Sequence, residues 1–319
     1  MNLFSKIVIA GFTIITFSCD NENDTNASAK AISTAAITTA TPKKFLFDAT
    51  KAETAGNADW VLDADSNPQR FPTPAQSNIT ASTTESFWRG GLSAWGISLV
   101  KLGHMVETLP SGTGITYGGS GVQDLKNYDV FVVDEPNTRF TAAEKTAIIN
   151  FVKNGGGLFM ISNHSGADRN NDGFDSVQVW NDLMTTNLVK SNPFGFSINS
   201  ISFSETTTNR LSATTNPILN GSQGNVTQLK YSAGASITTN IAANSTVQGL
   251  IWRGTSSQGS SNVMCATSTY GTGRVVIIGD SSPADDGTGA IGDTLYPGWT
   301  ELASHSRLHM NASLWLAKL

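Results

Sequence analysis

The chain has 319 residues, 39% of them hydrophobic and 14% charged, with a formal net charge of -5 and two cysteines. Charged residues ordinarily make up about a quarter of a soluble domain, so the polar surface must come from Ser, Thr, Asn and Gly, a pattern that suits an exported protein. The acidic balance and the lack of any Lys/Arg cluster exclude nucleic acid and anionic lipid as main partners, because both need a positive footprint.

Met1 to Ser18 carries one positive charge, Lys6, and an apolar run from Ile7 to Phe17. That run is too short for a bilayer, which takes about 20 residues, and reads as a signal peptide over residues 1–18. Thr16-Phe17-Ser18-Cys19 resembles a bacterial lipobox, with Thr16 where Leu is usual. The resemblance makes Cys19 the lipidated first residue of the mature chain; ordinary cleavage nearby is the other reading. Asp20, Glu22 and Asp24 resemble the surface-export signals of Bacteroidota lipoproteins, which implies an outer-membrane or cell-surface location and a membrane link through the lipid anchor only. Residues 19–41 hold little bulk and read as a disordered tether, leaving residues 42–319 as a single α/β domain. With Cys19 lipidated, Cys265 has no disulfide partner.

Lys44 to Asp48 is a short apolar run ending in a carboxylate, as expected of a buried strand. Residues 67–84 read as a long loop, and Ser86 to Gly103 has helical spacing through Phe87, Leu92, Trp95, Leu99 and Leu102. Met105–Leu109 and Tyr128–Val133 read as strands. Thr141 with Glu144 forms a capping-box signature that opens a helix to Asn154, and Gly157–Ser162 is a further strand. Residues 194–270 alternate without helix signals and read as an antiparallel extension or edge hairpins. A strand over Arg274–Asp280 and a helix over Ser304–Leu319 close the chain. This alternation predicts an α/β fold with a mostly parallel sheet, helices on both faces and an antiparallel β extension.

Ligands of such sheets bind beyond the carboxyl ends of the strands. Asp48, Asp134, His164 and Asp280 follow four strands there and are the candidate catalytic groups, able to share acid and base work or to ligate a metal. Capping of the next turn is the competing reading for each one. His164 stands at the middle of Ser162-Asn163-His164-Ser165-Gly166, a sharp turn that can aim a side chain into a pocket. Asn57, Asp59, Trp60, Glu135, Asn163 and Ser165 are the candidate substrate contacts, with Trp60 and Phe71 offering flat faces to a sugar. Asp168, Asn170, Asp172 and Asp175, with Gly173 sixth in the run, match the first half of a calcium loop, so the expected cofactor is a divalent cation, Ca²⁺. The bidentate Glu of an EF-hand is missing, since Val179 is twelfth, and an Asx-rich surface turn is the alternative. The acidic loop Gly279–Gly289 opposes phosphate binding, so no nucleotide cofactor is expected. His305 and His309, spaced i, i+4, share a helix face that can chelate a metal, though both border its apolar stripe.

Tyr128–Asp134, the helix Thr141–Asn154, the turn Gly155–Gly166 and the ending Gly273–Asp280 resemble the class I glutamine amidotransferase-like superfamily, including its ThuA-type and extracytoplasmic branches. The resemblance implies a flavodoxin-like, glutamine amidotransferase-like sheet. Active amidotransferases of that superfamily carry Cys at the elbow and a downstream His-Glu pair. His164 occupies the elbow here, so a Cys-dependent amidotransferase is not implied. The expected function is a cell-surface hydrolase or related enzyme acting on glycans or peptides, metal-assisted if the calcium loop is real. The alternative is a non-catalytic glycan- or peptide-binding lipoprotein of a nutrient-uptake system.

Overall fold

In the central strands every residue is apolar or ends the strand, and the structure shows why: both faces of the sheet are covered. This computed structural model describes residues 41–64, 76–289 and 296–319; the signal peptide, Cys19, most of the tether and Phe71 lie outside the described residues. The first half runs β1 (Lys44–Asp48), α1 (Ser93–Lys101), β2 (Met105–Leu109), β3 (Val130–Asp134), α2 (Ala142–Lys153), β4 (Gly157–Ile161) and α3 (Ser176–Thr186). An extension follows with β5 (Phe196–Ile198), β6 (Phe203–Thr207), β7 (Asn220–Gly221), β8 (Gly224–Asn225), β9 (Leu229–Gly234), β10 (Ile237–Thr239), β11 (Gln248–Trp252) and β12 (Val263–Tyr270). The chain returns through β13 (Gly273–Ile278), α4 (Gly298–Glu301) and α5 (Ala303–Leu316).

Nine strands of the described residues share one sheet in the order β2-β1-β3-β4-β13-β12-β10-β5, with β11 also on β12. The first five are mutually parallel. Their order is the flavodoxin-like 2-1-3-4-5 arrangement, whose switch point lies between β1 and β3. Pairings beyond β13 are antiparallel. The expected α/β fold with an antiparallel extension is therefore the one observed.

Strand alternation divides the interior into two cores. Phe45, Phe47, Val130, Val132, Phe159 and Val276 pack with Trp95 of α1 and Leu308 of α5 on one face. Leu46, Phe131, Val133, Leu158 and Ile277 pack with Ile148 of α2 and Trp180 of α3 on the other. Successive strand residues point to opposite faces, so burying both demands an unbroken apolar run. The Thr141–Glu144 capping box forms in both directions and starts α2 as expected.

Two elements differ from the expectation. Helix α1 begins at Ser93, seven residues after Ser86. A Cβ at Gly90 would stand 2.3 Å from the Val61 carbonyl oxygen and one at Gly91 2.7 Å from that of Asp59, so this pair is packed flat against the β1 loop and the helix starts after it. Helix α3 lies where the calcium loop was expected to continue. Its N-cap is Asp175, whose Oδ1 accepts from Gln178 N at 2.9 Å while Gln178 Oε1 accepts from Asp175 N at 3.0 Å. Among the described residues no helix is long and apolar enough to cross a membrane.

Candidate functional site

Parallel strands all deliver their following loops to one edge, and here four of those loops are tied together by one guanidinium. Glu135, directly after β3, is fully buried. Arg169, from the loop after β4, donates from Nε to Glu135 Oε1 at 2.7 Å and from Nη1 to Asn57 Oδ1, after β1, at 2.6 Å. Ser281, after β13, donates from Oγ to Glu135 Oε2 at 2.8 Å. Asn137 completes the junction: its Oδ1 accepts from Arg169 N at 2.9 Å, its Nδ2 donates to the Glu135 carbonyl at 2.8 Å, and its backbone N donates to the Lys51 carbonyl at 2.7 Å. Glu135 holds φ at 45°, in the left-handed region that side chains other than Gly, Asn and Asp seldom adopt. The strain points its carboxylate inward, where the ion pair holds it.

Asp134 has the opposite environment. It is 1% exposed, and neither carboxyl oxygen has a hydrogen-bond partner. Burial, then the charges of Glu135, Asp280 and Asp285, push its pKa well above the carboxylate range, against the pull of Arg169. Asp280, just after β13 and two strands from β3, is also fully buried but is hydrogen-bonded: Oδ1 accepts from Ser282 N at 2.9 Å and Oδ2 from Ser232 N at 2.6 Å. Burial lifts it to about 7, with those backbone donors holding it down. Asp48 and Glu53 form a second pair across the switch point. Asp48 Oδ1 accepts from Thr50 N at 3.1 Å and Glu53 Oε2 from Lys51 N at 2.6 Å. Burial raises Asp48 to about 6 and, with the Asp48 charge, raises Glu53 well above its ordinary value. Titratable groups poised in this way are a mark of acid and base sites.

The sequence candidates thus separate. Asp48, Asp134, Glu135, Asp280 and Asn57 converge on this edge. His164 sits at the end of β4, but its Nδ1 bonds the Ser165 carbonyl at 2.9 Å, and among the described residues no hydrogen bond or ion pair joins it to Asp48, Asp134 or Asp280. Asn163 Oδ1 accepts from His164 N at 2.7 Å, and Ser165 N donates to the Ile201 carbonyl at 3.0 Å, so both serve the turn itself. Asp59 is buried and its carbonyl accepts from Gly91 N at 2.7 Å. Trp60 is 2% exposed, its ring taken into the interior instead of being offered to a sugar.

The calcium loop folds as an Asx-rich turn. Asp168 accepts from Asp172 N at 3.2 Å and Gly173 N at 2.8 Å, Asn170 donates to Asp172 Oδ2 at 3.1 Å, and Asp175 Oδ2 accepts from Gly166 N at 2.7 Å. These oxygens bind their own loop, and among the described residues no group of three or more His, Cys, Asp or Glu is arranged to hold a metal ion. His305 uses both ring nitrogens internally and His309 uses Nδ1, while the His309 Nε2 is buried without a hydrogen-bond partner. His305 donates from Nδ1 to the Gly298 carbonyl at 2.7 Å and accepts at Nε2 from Lys230 N at 3.0 Å, and His309 donates from Nδ1 to the His305 carbonyl at 2.7 Å. His309 packs between Trp95 and Phe159, where burial drops its pKa to about 3. Cys265 is buried on β12, its thiol pushed up to about 12 by burial, which leaves it unreactive.

Arg169, Glu53, Asn137 and Ser281 were not among the sequence candidates. Arg169 was the findable one: several buried acids need a cation, and this one follows the most informative strand-end turn.

No family model matches the chain, and no curated protein matches it. Solved structures similar to it include the mmIFT52 N-terminal domain, at 14% identity over 86% of this chain and 97% of that one, TM-score 0.49. A cytoplasmic protein from Salmonella typhimurium matches at 12% identity over 86% and 98%, TM-score 0.48. A ThuA-like protein from Bacteroides uniformis matches at 12% identity over 87% and 93%, TM-score 0.45.

Two outcomes follow from this electrostatic arrangement. Arg169→Ala leaves Glu135 buried without a counter-charge and should cost roughly 3–5 kcal/mol in denaturant unfolding, most of it restored in Arg169→Ala/Glu135→Gln; equal loss in the single and double variants would remove the ion pair from the account. The raised acids also set a pH trend. Asp48 and Asp286 titrate at about 6 and Asp280 at about 7 when folded, against about 4 unfolded. From pH ~4 to ~7 the folded protein holds protons that the unfolded chain has released, so stability is highest on the acid side and falls as pH rises. Thermal midpoints measured across that window should decline, and a steady rise would contradict the assignment.

Proposed function

We propose that the protein is a lipid-anchored, cell-surface hydrolase on a ThuA-like, glutamine amidotransferase-like fold, cutting a glycan or peptide by carboxyl acid–base chemistry at the strand-end cluster. The observation that carries this reading is Asp134: a buried carboxyl with both oxygens unpartnered at the end of a central parallel strand. Unsatisfied buried polar groups are uncommon in native structures and mark strain or catalysis.

The roles follow from the environments. Asp134, kept neutral by burial and by Glu135, Asp280 and Asp285, is the general acid that gives a proton to the leaving group. Asp280, titrating at about 7, is the general base that takes a proton from the attacking water. Glu135, ion-paired to Arg169 and accepting from Ser281, stands beside both acids and raises both. After turnover the proton taken by Asp280 returns through solvent to Asp134. Both acids are buried, so substrate reaches them when a strand-end loop moves aside. Cys265 has no part in this chemistry, in keeping with a non-amidotransferase.

The test is a product screen over glycans and peptides with purified mature protein. Asp134→Asn and Asp280→Asn should each lower kcat/KM by about 10²–10⁴-fold on whichever substrate is cut, and the wild-type profile should rise with pH to a limb near the Asp280 value of about 7. Saturable binding without products, unchanged by either substitution, would instead establish the binding lipoprotein. The anchor is checked separately: fatty-acid labelling in a lipoprotein-processing host should be lost in Cys19→Ala, and label that persists would place the modification elsewhere.

A further inference from the structure

A cleft of the described residues lies away from the carboxyl cluster, in the antiparallel extension where β10 and β11 both join β12. It has a volume of about 620 Å³ and is lined by residues of β5, β10 and β11 and the turns beside them. That is within the ~300–1,000 Å³ of ordinary ligand pockets. Its polar lining is entirely uncharged: Ser197, Thr238, Thr239, Asn240, Gln248 and Gln258 supply hydroxyls and amides. Three further clefts of the described residues each carry charge, from Glu85, Lys101 and Arg307, from Lys126, Asp129 and Lys318, or from Glu205 and Lys230.

We propose that this cleft is a non-catalytic binding site for a neutral oligosaccharide. Hydroxyl and amide side chains can both donate and accept, which matches sugar hydroxyls, whereas a charged ligand would find no counter-ion there. Exposed Ile241 with half-buried Val247 and Leu211 supply the apolar surface that a sugar's C–H face requires, above the buried ring of Trp252. Its indole is fixed in the lining by Nε1 donating to the Gly259 carbonyl at 2.8 Å. Gly249 makes room for it, because a Cβ there would stand 2.5 Å from the ring.

A peptide is disfavoured by the strand edges. Extended peptides bind by adding a strand to free backbone groups. Ile198 of β5 already gives its N–H to Asn181 Oδ1 at 2.9 Å and accepts from Asn181 Nδ2 at 2.8 Å, and Phe196 N donates to Asn192 Oδ1 at 3.0 Å. On β11 the Leu250 carbonyl accepts from Leu211 N at 2.7 Å and Trp252 N donates to the Asn209 carbonyl at 2.8 Å. These edges are occupied, so recognition falls to the side chains, as it does for a saccharide.

The site is independent of hydrolysis and is tested by binding alone. Calorimetry on the mature protein with cello-, xylo- and malto-hexaose should detect at least one with a Kd of about 1 mM or tighter, and the same titrations with an oligogalacturonate and with a neutral Gly-Ser-Asn hexapeptide should show none. Gln248→Ala should weaken the interaction about ten-fold by removing one amide partner. Ser197→Trp should abolish it by filling the cleft. Both residues are exposed, so circular dichroism and the thermal midpoint should match wild type. Absence of binding by every neutral hexasaccharide, equal binding of the peptide or the oligogalacturonate, or wild-type affinity in both variants would each overturn the assignment; loss of turnover in Asp134→Asn with saccharide affinity retained would separate this cleft from the carboxyl site.

Discussion

Six acidic side chains, Asp48, Glu53, Asp134, Glu135, Asp280 and Asp285, are buried beyond the carboxyl ends of the parallel strands, and the guanidinium of Arg169 is what allows one of them to stay charged there. Taking an ionised carboxylate out of water costs several kcal/mol unless a partner is fixed beside it. Glu135 has that partner, together with the Ser281 hydroxyl, and accepts left-handed backbone geometry to reach both. The interaction also sets the positions of the surrounding chain. Arg169 fixes Asn57 through its side chain and Asn137 through its backbone, so the loops after β1, β3 and β4 are held in register by contacts that all pass through one residue.

The remaining acids must then lower their cost by other means. Asp280 does so with backbone N–H groups from Ser282 and Ser232. Asp48 and Glu53 do so by taking raised pKa values, with one oxygen each accepting from a backbone N–H. Asp134 has no such donor, and burial with the charges of Glu135, Asp280 and Asp285 pushes its pKa well above the carboxylate range. Lys51, the nearby amine of the β1 loop, cannot relieve it, because that amine is committed to Glu144 at 2.8 Å, the same residue that caps α2. Capping, loop closure and site electrostatics therefore draw on one small set of charges, consistent with a chain that has few to spare.

What the sequence shows of this arrangement depends on distance along the chain. The parallel strands are legible because burial on both faces removes polar residues over four consecutive positions of β3 and all five of β4, and the Thr141–Glu144 box because both halves lie three residues apart. Strand-end acids are legible by the same rule, since each follows its strand directly. Asp175 shows the limit of local reading. Alternating oxygens suit a cation and an Asx turn alike, and only the contact with Gln178 three residues on decides for a helix cap. The start of α1 is set by backbone at Asp59 and Val61, some thirty residues earlier, and no helical periodicity carries that information. His305 and His309 have a chelating spacing, but both His305 nitrogens are claimed by Lys230 and Gly298, and the His309 ring is enclosed by Trp95 and Phe159, contacts visible only once the elements are assembled.

The two halves of the sheet explain where charge and its absence end up. In the parallel half every connection crosses back over a face, so the loops that follow the strands converge on one edge and their acids are forced into mutual contact. In the antiparallel half successive strands turn at alternate ends, so no single edge gathers the strand ends and nothing drives charged groups together. The space left where β10 and β11 diverge from β12 is walled instead by the Ser, Thr, Asn and Gln that dominate this chain's polar composition. A single sheet can in this way carry an edge of buried acids and an uncharged, hydroxyl- and amide-lined cleft, each produced by the pairing sense of the strands beneath it.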